Sequence, residues 1–499
     1  MSDRSAPEPG RGPRLRIIGV NDVYELDHLP RLATLIAELD RDDPVDRTLI
    51  TVAGDFLAPS LLSSLDHGRG MVAMLNALGV THVTFGNHED DLDVASLCAR
   101  MSELRATWLA STVVGFTPAL ATRDVVTVTA PDGREVHVGL LGVVIDALSV
   151  YGRQPFGGAT LLPAREAARA VAADLLARGC AVVVPLTHLP LSEDRLLANE
   201  QRDPPFPIIL GGHDHIECLE DVDGTLIAKS GRDAALAIVA ELSWSADPDA
   251  GPRVTARLER VTERAPDPEL AALATRLLAI VGDLQRAALY RIPPGEGLSS
   301  IGARRRQTTV GTLLASCVRD ATGADIALIN GGGLRGERVH EGCFTYGDLE
   351  TELPFDNEVV VVALAGHEIA DAVAGSRARA PAESGAFLQV DDGMSVAADG
   401  VTVLAVRGAP LDRERRYRVA LMRDLLLGMD HIAPLERVGR DEPWRVPPET
   451  SGREVKLLVV EAFGAMLTER VGGIAAVDTD GDGTLSVAEI AAGIACLPP

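Results

Sequence analysis

Apolar and polar positions along this chain predict strands and helices in turn. Arg14–Val20, apolar apart from Arg14 and Arg16, reads as a buried strand and ends at Asn21-Asp22. Leu29–Leu39 follows with helical spacing. Arg47–Ala53 is a second buried strand and ends at Gly54-Asp55. A helical pattern from about Ser60 to Leu78 leads to a third strand, His82–Phe85, which runs into Gly86-Asn87-His88-Glu89-Asp90-Asp91. Strand-like and helix-like runs then alternate through Val136–Val144, Ala164–Ala177, Ala181–Leu186, Pro207–Leu210 and Leu236–Leu242. This alternation predicts an α/β layered domain. The polar clusters fall at strand ends, where open α/β sheets bind ligands.

The pattern also divides the chain. Residues 1–13 read as a disordered lead and 14–262 as the first domain. Ala246–Arg253 is rich in Pro, Asp and Gly, and Asp267–Arg286 then has a long helical pattern with Asp267 as N-cap and Pro268 at the first helical position. Residues 263–294 are therefore expected to form a linking helix. A second α/β domain is expected over 295–448, and a helix–acidic loop–helix unit over 449–499.

Composition narrows the function. The chain has 499 residues, too many for one core, and a net charge of −25. Such a surface repels nucleic acid and anionic membranes and favours divalent cations. The basic residues are nearly all arginine; only Lys229 and Lys456 are lysines. Cys98, Cys180, Cys218, Cys317, Cys343 and Cys496 are scattered, with no CxxC pair, and read as buried free thiols in a reducing compartment. Met1–Arg16 is polar, and there is no run of about 18 apolar residues. A cytoplasmic protein is expected.

Five stretches carry metal-type ligands: Asn21-Asp22-Val23-Tyr24, Gly54-Asp55, Gly86-Asn87-His88-Glu89, Leu186-Thr187-His188 and Gly211-Gly212-His213-Asp214-His215. His213 and His215 are two apart, so in extended backbone they point the same way. Carboxylates, imidazoles and an amide oxygen suit Zn, Mn, Co or Fe. In this order the stretches resemble the five motifs of the calcineurin-like metallophosphoesterases, in particular the 5′-nucleotidase branch. The resemblance covers roughly residues 14–440. It implies a four-layer αββα sandwich followed by a smaller nucleotide-binding α/β domain. It further implies that Asp22, Asp55 and His215 hold one metal, and that Asp55, Asn87, His188 and His213 hold a second, with Asp55 bridging. His88 would be the catalytic histidine and Asp91 its orienting carboxylate. The expected reaction is release of phosphate from a nucleotide by in-line attack of a metal-bound hydroxide, with His88 serving the leaving oxygen.

The first motif departs from the family's Asp-x-His, since Tyr24 stands where the histidine would be. Three outcomes are open. Tyr24 ligates a trivalent iron; or it lines the site and leaves the remaining ligands plus water; or the first site is weak and the enzyme impaired.

In the second domain, Asn330-Gly331-Gly332-Gly333-Leu334-Arg335 follows the buried strand Ile326–Asn330, and Pro354-Phe355-Asp356-Asn357 comes later. Glycines let backbone N–H groups approach an anion or a sugar, and an arginine can fork to a phosphate. These runs resemble motifs of the C-terminal 5′-nucleotidase domain. The resemblance implies that Arg304, Asn330, Gly332 and Arg335 contact the nucleotide and that Phe355 stacks on its base. The family's other stacking aromatic is missing, since Arg423–Ile432 holds no Phe, Tyr or Trp.

Asp478-Thr479-Asp480-Gly481-Asp482-Gly483-Thr484-Leu485-Ser486-Val487-Ala488-Glu489 matches an EF-hand loop. Asp478, Asp480, Asp482, Thr484 and Glu489 would supply oxygens to Ca2+. The loop has no sequence partner, so it either docks on the main body or pairs with a second chain as a homodimer. Two rivals stand beside the nucleotidase reading: a phosphodiesterase acting on cyclic nucleotides or nucleotide sugars, and a Ca-responsive binding protein on a degraded phosphoesterase scaffold.

Overall fold

The computed structural model describes residues 11–151, 154–245, 251–279, 288–293, 297–355, 357–448 and 451–470. They form two compact units, one of Met1–Ser63 and His67–Leu277, the other of Ser64–Asp66 and Leu278–Pro499.

The strands of the first unit are β1 (Arg14–Val20), β2 (Arg47–Ala53), β3 (His82–Thr84), β4 (Thr107–Leu109), β5 (Val113–Val114), β6 (Arg123–Thr129), β7 (Glu135–Val144), β8 (Thr160–Leu161), β9 (Val182–His188), β10 (Ile208–Gly211), β11 (Glu217–Val222), β12 (Thr225–Ser230), β13 (Leu236–Ser243) and β14 (Arg253–Arg260). One six-stranded sheet runs β14-β13-β1-β2-β3-β4, and the other runs β11-β12-β10-β9-β7-β6. β1 to β4 are mutually parallel, as are β7, β9, β10 and β12.

The two sheets share one core. Leu15, Ile17, Leu49, Leu140, Val184, Leu186, Ile208 and Leu210 form a single buried cluster between them. Each such side chain contributes about 1.5–3 kcal/mol on burial. Alternate residues face helices on the outside. Arg16, fully buried on β1, donates to Leu39 O at 3.0 Å and Asp43 O at 2.7 Å, capping the C-terminus of the helix Leu29–Asp42. On β7, a Cβ at Gly139 would meet Leu175 of the helix Ala164–Ala177. This is the expected layering, and within each sheet the C-terminal ends of the parallel strands lie at one end, where the turns bearing the candidate ligands begin.

In the second unit a five-stranded sheet runs, edge to edge, Leu388–Val390, Ile326–Asn330, Arg416–Met422, Glu358–Ala365 and Arg453–Glu454. The helix Thr309–Thr322 packs beside it, capped by Thr308, whose hydroxyl accepts from Gly311 N at 3.1 Å.

Two expected boundaries are corrected. The expected helix begins at Pro268, with Asp267 Oδ1 accepting from Leu270 N at 3.0 Å, and runs to Leu277; residues 280–287 of its expected span lie outside the described residues. Pro268–Leu277 packs on the helices Leu29–Asp42 and Arg69–Leu78, so this part of the expected linker belongs to the first unit. Ala288–Arg291 is a strand paired with Cys343–Thr345, not part of a helix reaching 294. The other boundary is the one expected before residue 449. Arg453 pairs with Val359 in the five-stranded sheet, and the helix Val455–Arg470 packs on Thr309–Thr322 with Leu458 and Val459 fully buried. That segment is part of the second unit's core. Cys98, Cys180, Cys218, Cys317 and Cys343 are free thiols as expected, but only Cys180 and Cys317 are buried, and Cys343 is exposed.

Candidate active site

The first unit's ligands sit on turns directly after β1, β2, β3 and β10, or at the end of β9. Several hold a backbone that L-residues avoid. Asp22 has φ 52°, Asp55 φ 52°, His213 φ 85° and His215 φ 55°. Left-handed backbone costs roughly 1–2 kcal/mol per residue, and such strain concentrates at functional sites.

Neighbouring glycines make room for this packing. A Cβ at Gly54 would lie 2.4 Å from His188 Nδ1, one at Gly86 2.1 Å from Asp55 Oδ1, and one at Gly212 2.4 Å from Ala53 O. No real side chain fits at those distances.

Asp22, Asp55 and His188 are buried, and each offers a ligand atom within 4.8 Å of the others. His188 Nδ1 pairs with Ala53 O at 2.7 Å, which leaves Nε2 to face the carboxylates. Nε2 is buried and makes no hydrogen bond, while lying 3.0 Å from Asp55 Oδ2 and 3.9 Å from Asp22 Oδ1. An orphaned imidazole nitrogen among carboxylate oxygens fits a divalent cation. The electrostatics agree. Burial opposes a charged imidazole, but Asp55 and Asp22 push His188 up to about 10. Burial likewise opposes an ionised Asp22, yet His188 and His215 hold it down at about 2. The pocket demands positive charge.

Tyr24 reaches the same point. Its hydroxyl lies 2.9 Å from His215 Nε2 and 3.4 Å from both Asp22 Oδ1 and Asp55 Oδ2. Burial, then the charges of Asp55 and Asp22, push the phenol well above its usual range. The Tyr24 hydroxyl therefore stands among these carboxylate and imidazole groups and keeps its proton. Beside this group, His213 Nδ1 is 3.0 Å from Asn87 Oδ1, and burial drives His213 well below the usual imidazole range. The remaining expected pair is intact: His88 Nδ1 is 2.8 Å from Asp91 Oδ2, and His88 N donates to Asp55 Oδ1 at 2.8 Å.

The second unit carries its own polar cluster. Asn330 is 3% exposed, and its Nδ2 donates to Asp430 Oδ2 at 2.6 Å while its Oδ1 has no hydrogen-bond partner. Gly332 lies against both, and a Cβ there would be 3.2 Å from Asn330 Nδ2 and from Asp430 Oδ2. The Arg335 guanidinium stacks 5.2 Å from the centre of the Phe355 ring, which is 44% exposed. Arg304 lies on a loop tied by its carbonyl to Ser384 N at 2.9 Å.

Comparison with known proteins matches residues 15–217 to the calcineurin-like phosphoesterases and 285–436 to the 5′-nucleotidase C-terminal domain. The chain joins a calcineurin-like phosphoesterase domain to a 5′-nucleotidase C-terminal domain. The protein UshA of Escherichia coli (strain K12) is 34% identical over 131 residues, which are 26% of this chain and 24% of UshA. The trifunctional nucleotide phosphoesterase protein YfkN of Bacillus subtilis (strain 168) is 23% identical over 437 residues, 78% of this chain and 29% of that protein. The chain thus matches less than a third of the length of either curated relative. The solved structure of the Haemophilus influenzae NAD nucleotidase superposes with a TM-score of 0.68 at 15% identity, covering 92% of this chain and 97% of that one. At that identity the likeness establishes the fold.

Within the phosphoesterase domain the structure gathers Asp22, Tyr24, Asp55, His188 and His215 around one point, with Asn87 and His213 paired beside them and His88 linked to Asp55. In the nucleotidase domain it gathers Asn330 and Gly332, and separately Arg335 and Phe355.

Three contributors carry no assigned role in the sequence reading. Asn21 donates to Asp22 Oδ2 at 2.6 Å and accepts from Ser230 N at 2.9 Å, fixing the carboxylate's orientation. Glu89 is fully buried and accepts from the backbone N–H groups of Asp55, Phe56, Leu57 and Gly86 at 2.6–3.0 Å. It locks the Asp55 turn to the Asn87 turn. Asp430 stands within the run that lacks the aromatic, and its carboxylate is the feature a search for aromatics passes over. The expected Ca2+ ligands Asp478, Asp480, Asp482, Thr484 and Glu489, and the homodimer contact through them, lie outside the described residues.

Proposed function

We propose that the chain hydrolyses phosphate monoesters of nucleotides with two transition-metal ions. Asp22, Asp55 and His215, with Tyr24 beside them, would hold one ion; Asp55, Asn87, His188 and His213 would hold the other. The observation that carries this reading is the buried, unbonded His188 Nε2 set 3.0 Å from Asp55 Oδ2. When bound, such ions polarise phosphate oxygens and activate water.

The chain's own groups do the rest. Asp91 holds His88 Nδ1–H and stabilises the imidazolium, which, once it has taken a proton from solvent at Nε2, would donate that proton to the leaving oxygen and return to the neutral ring. The backbone bond from His88 to Asp55 ties that donor to the ligand shell. Recognition of the organic group falls to the nucleotidase domain. Asp430 and Asn330 Oδ1 are acceptors suited to sugar hydroxyls, and the exposed Phe355 ring offers a stacking face for a base.

A phosphate-release screen tests the reading. Metal-stripped protein is reloaded with Mn, Zn, Co or Fe and given 5′-nucleotides, sugar phosphates and a phosphodiester. The expected result is metal-dependent release, fastest from 5′-nucleotides. No release with any metal overturns the reading, and equal kcat/KM for nucleotides and a simple aryl phosphate overturns its nucleotide part.

A further inference from the structure

Outside the ligand set, the phosphoesterase domain buries one lysine. Lys229 lies on β12 beside Gly211 of β10 and is 1% exposed. Its Nζ donates to Leu189 O at 2.6 Å, Gly212 O at 2.6 Å and Asp214 Oδ2 at 2.8 Å, and lies 3.0 Å from Asp194 Oδ2. These oxygens belong to two turns. Leu189 follows His188; Gly212 precedes His213, and Asp214 stands between His213 and His215. The surroundings extend the same link. Thr187 Oγ1 donates to Asp194 Oδ1 at 2.7 Å, and Leu191 N donates to Asp214 Oδ2 at 2.5 Å. The route of the side chain is built in, because a Cβ at Gly211 would lie 3.0 Å from both Lys229 Cε and Asp194 Oδ2.

We propose that Lys229 is a positioning residue that ties the His188 turn to the His213–His215 turn and so sets the spacing of three metal-ligating histidines. The proposal rests on the two-metal reading of the site. A single ammonium carries three donors and one positive charge, and here it pairs with two carboxylates while holding two carbonyls. Without it, four oxygens face one another in a water-poor space and the turns separate. The ammonium touches neither a ligand atom nor a reacting atom, so its effect is transmitted through the backbone.

The test is calorimetric Mn2+ binding to the full chain and its Lys229→Met variant, with thermal unfolding measured in parallel. Methionine keeps the length and removes the charge. The expected result is Mn2+ affinity weakened about 10- to 100-fold, the range for losing groups that orient metal ligands, with kcat recovered at saturating Mn2+. Lys229→Arg keeps the charge but cannot set one nitrogen among four oxygens, and serves if the Met variant does not fold. It is expected to bind Mn2+ more weakly with little change in Tm. If a variant unfolds at lower temperature yet binds Mn2+ with wild-type Kd, Lys229 is only structural and the proposal fails. If wild type itself binds no Mn2+, the metal reading fails instead.

Discussion

Replacing His88 with alanine separates proton donation from metal binding. The imidazole is 5% exposed, and its Nδ1 is held 2.8 Å from Asp91. The link from this turn to the metal ligands is a backbone one, His88 N to Asp55 Oδ1, and alanine retains it. The variant is therefore expected to keep the metal affinity of wild type while losing the donor. Positioned acid–base groups contribute about 10²–10⁴ in rate, which at about 1.36 kcal/mol per decade is about 2.7–5.4 kcal/mol of barrier. That loss should appear in full on a nucleoside monophosphate, whose alkoxide leaves poorly. It should shrink to less than about tenfold on p-nitrophenyl phosphate, whose phenolate leaves without a proton. Steady-state kcat on both substrates, with metal content measured on the same samples, decides the matter. Equal losses on the two substrates would refute proton donation, and lost metal would make His88 a ligand instead. Asp91→Asn should show the same leaving-group pattern at smaller size, because it disturbs the tautomer and spares the ring.

Three further outcomes are expected. Gly86→Ala drives a Cβ to within 2.1 Å of Asp55 Oδ1, so the variant should lose bound metal by elemental analysis and about 1–3 kcal/mol of stability; full metal occupancy would contradict the packing. In the metal-free protein, His188 is raised from 6.5 to about 10, so its contribution to stability is complete below pH 6.5 and disappears as pH rises through about 10. Tm of the EDTA-treated protein should fall across that window, and His188→Gln should flatten the fall; an unchanged slope in the variant would assign it to other groups. Asp430→Asn removes the carboxylate held by Asn330, and hydrogen bonds to charged groups contribute about 1.5–3 kcal/mol, so kcat/KM for nucleotides should drop about 10- to 100-fold. The same variant should leave p-nitrophenyl phosphate hydrolysis unchanged, and a drop on both substrates would place Asp430 outside nucleoside recognition.

What the sequence made legible is what local rules control. Largely apolar runs ending in Asn-Asp, Gly-Asp or Gly-Asn-His-Glu mark β1, β2 and β3 with the turns that follow, because a strand buried on both faces is rich in apolar residues. The partners of those ligands were not legible, since they are defined by distance in space. Asn21 meets Ser230 and Gly231 across some 210 residues of chain. Glu89 bonds only backbone N–H groups, which have no signature in side-chain type. The extents of the two units were not legible for a related reason. Amphipathic spacing over Asp267–Arg286 states that a helix has an apolar face and is silent on which unit covers it. Similarly, Glu454–Glu469 reads as the helix before an EF-hand loop, and in the fold the helix Val455–Arg470 packs beside Thr309–Thr322.

The motif spacing itself follows from the backbone of the site. Asp22, Asp55, His213 and His215 are all left-handed, and Gly54, Gly86 and Gly212 each abut a ligand side chain or its carbonyl support. Ligand atoms are thus set by where the main chain turns, and the glycines exist because two turns must approach within less than a side chain's width. Tyr24 is consistent with this. It lies on the turn that Asp233 grips through the Tyr24 N–H at 3.0 Å, and that grip is independent of the side chain. The phenol stands where the resemblance expects an imidazole, 2.9 Å from His215 Nε2 and 3.4 Å from Asp22 Oδ1. Glu89 and the glycines hold these turns through contacts that do not involve the Tyr24 side chain.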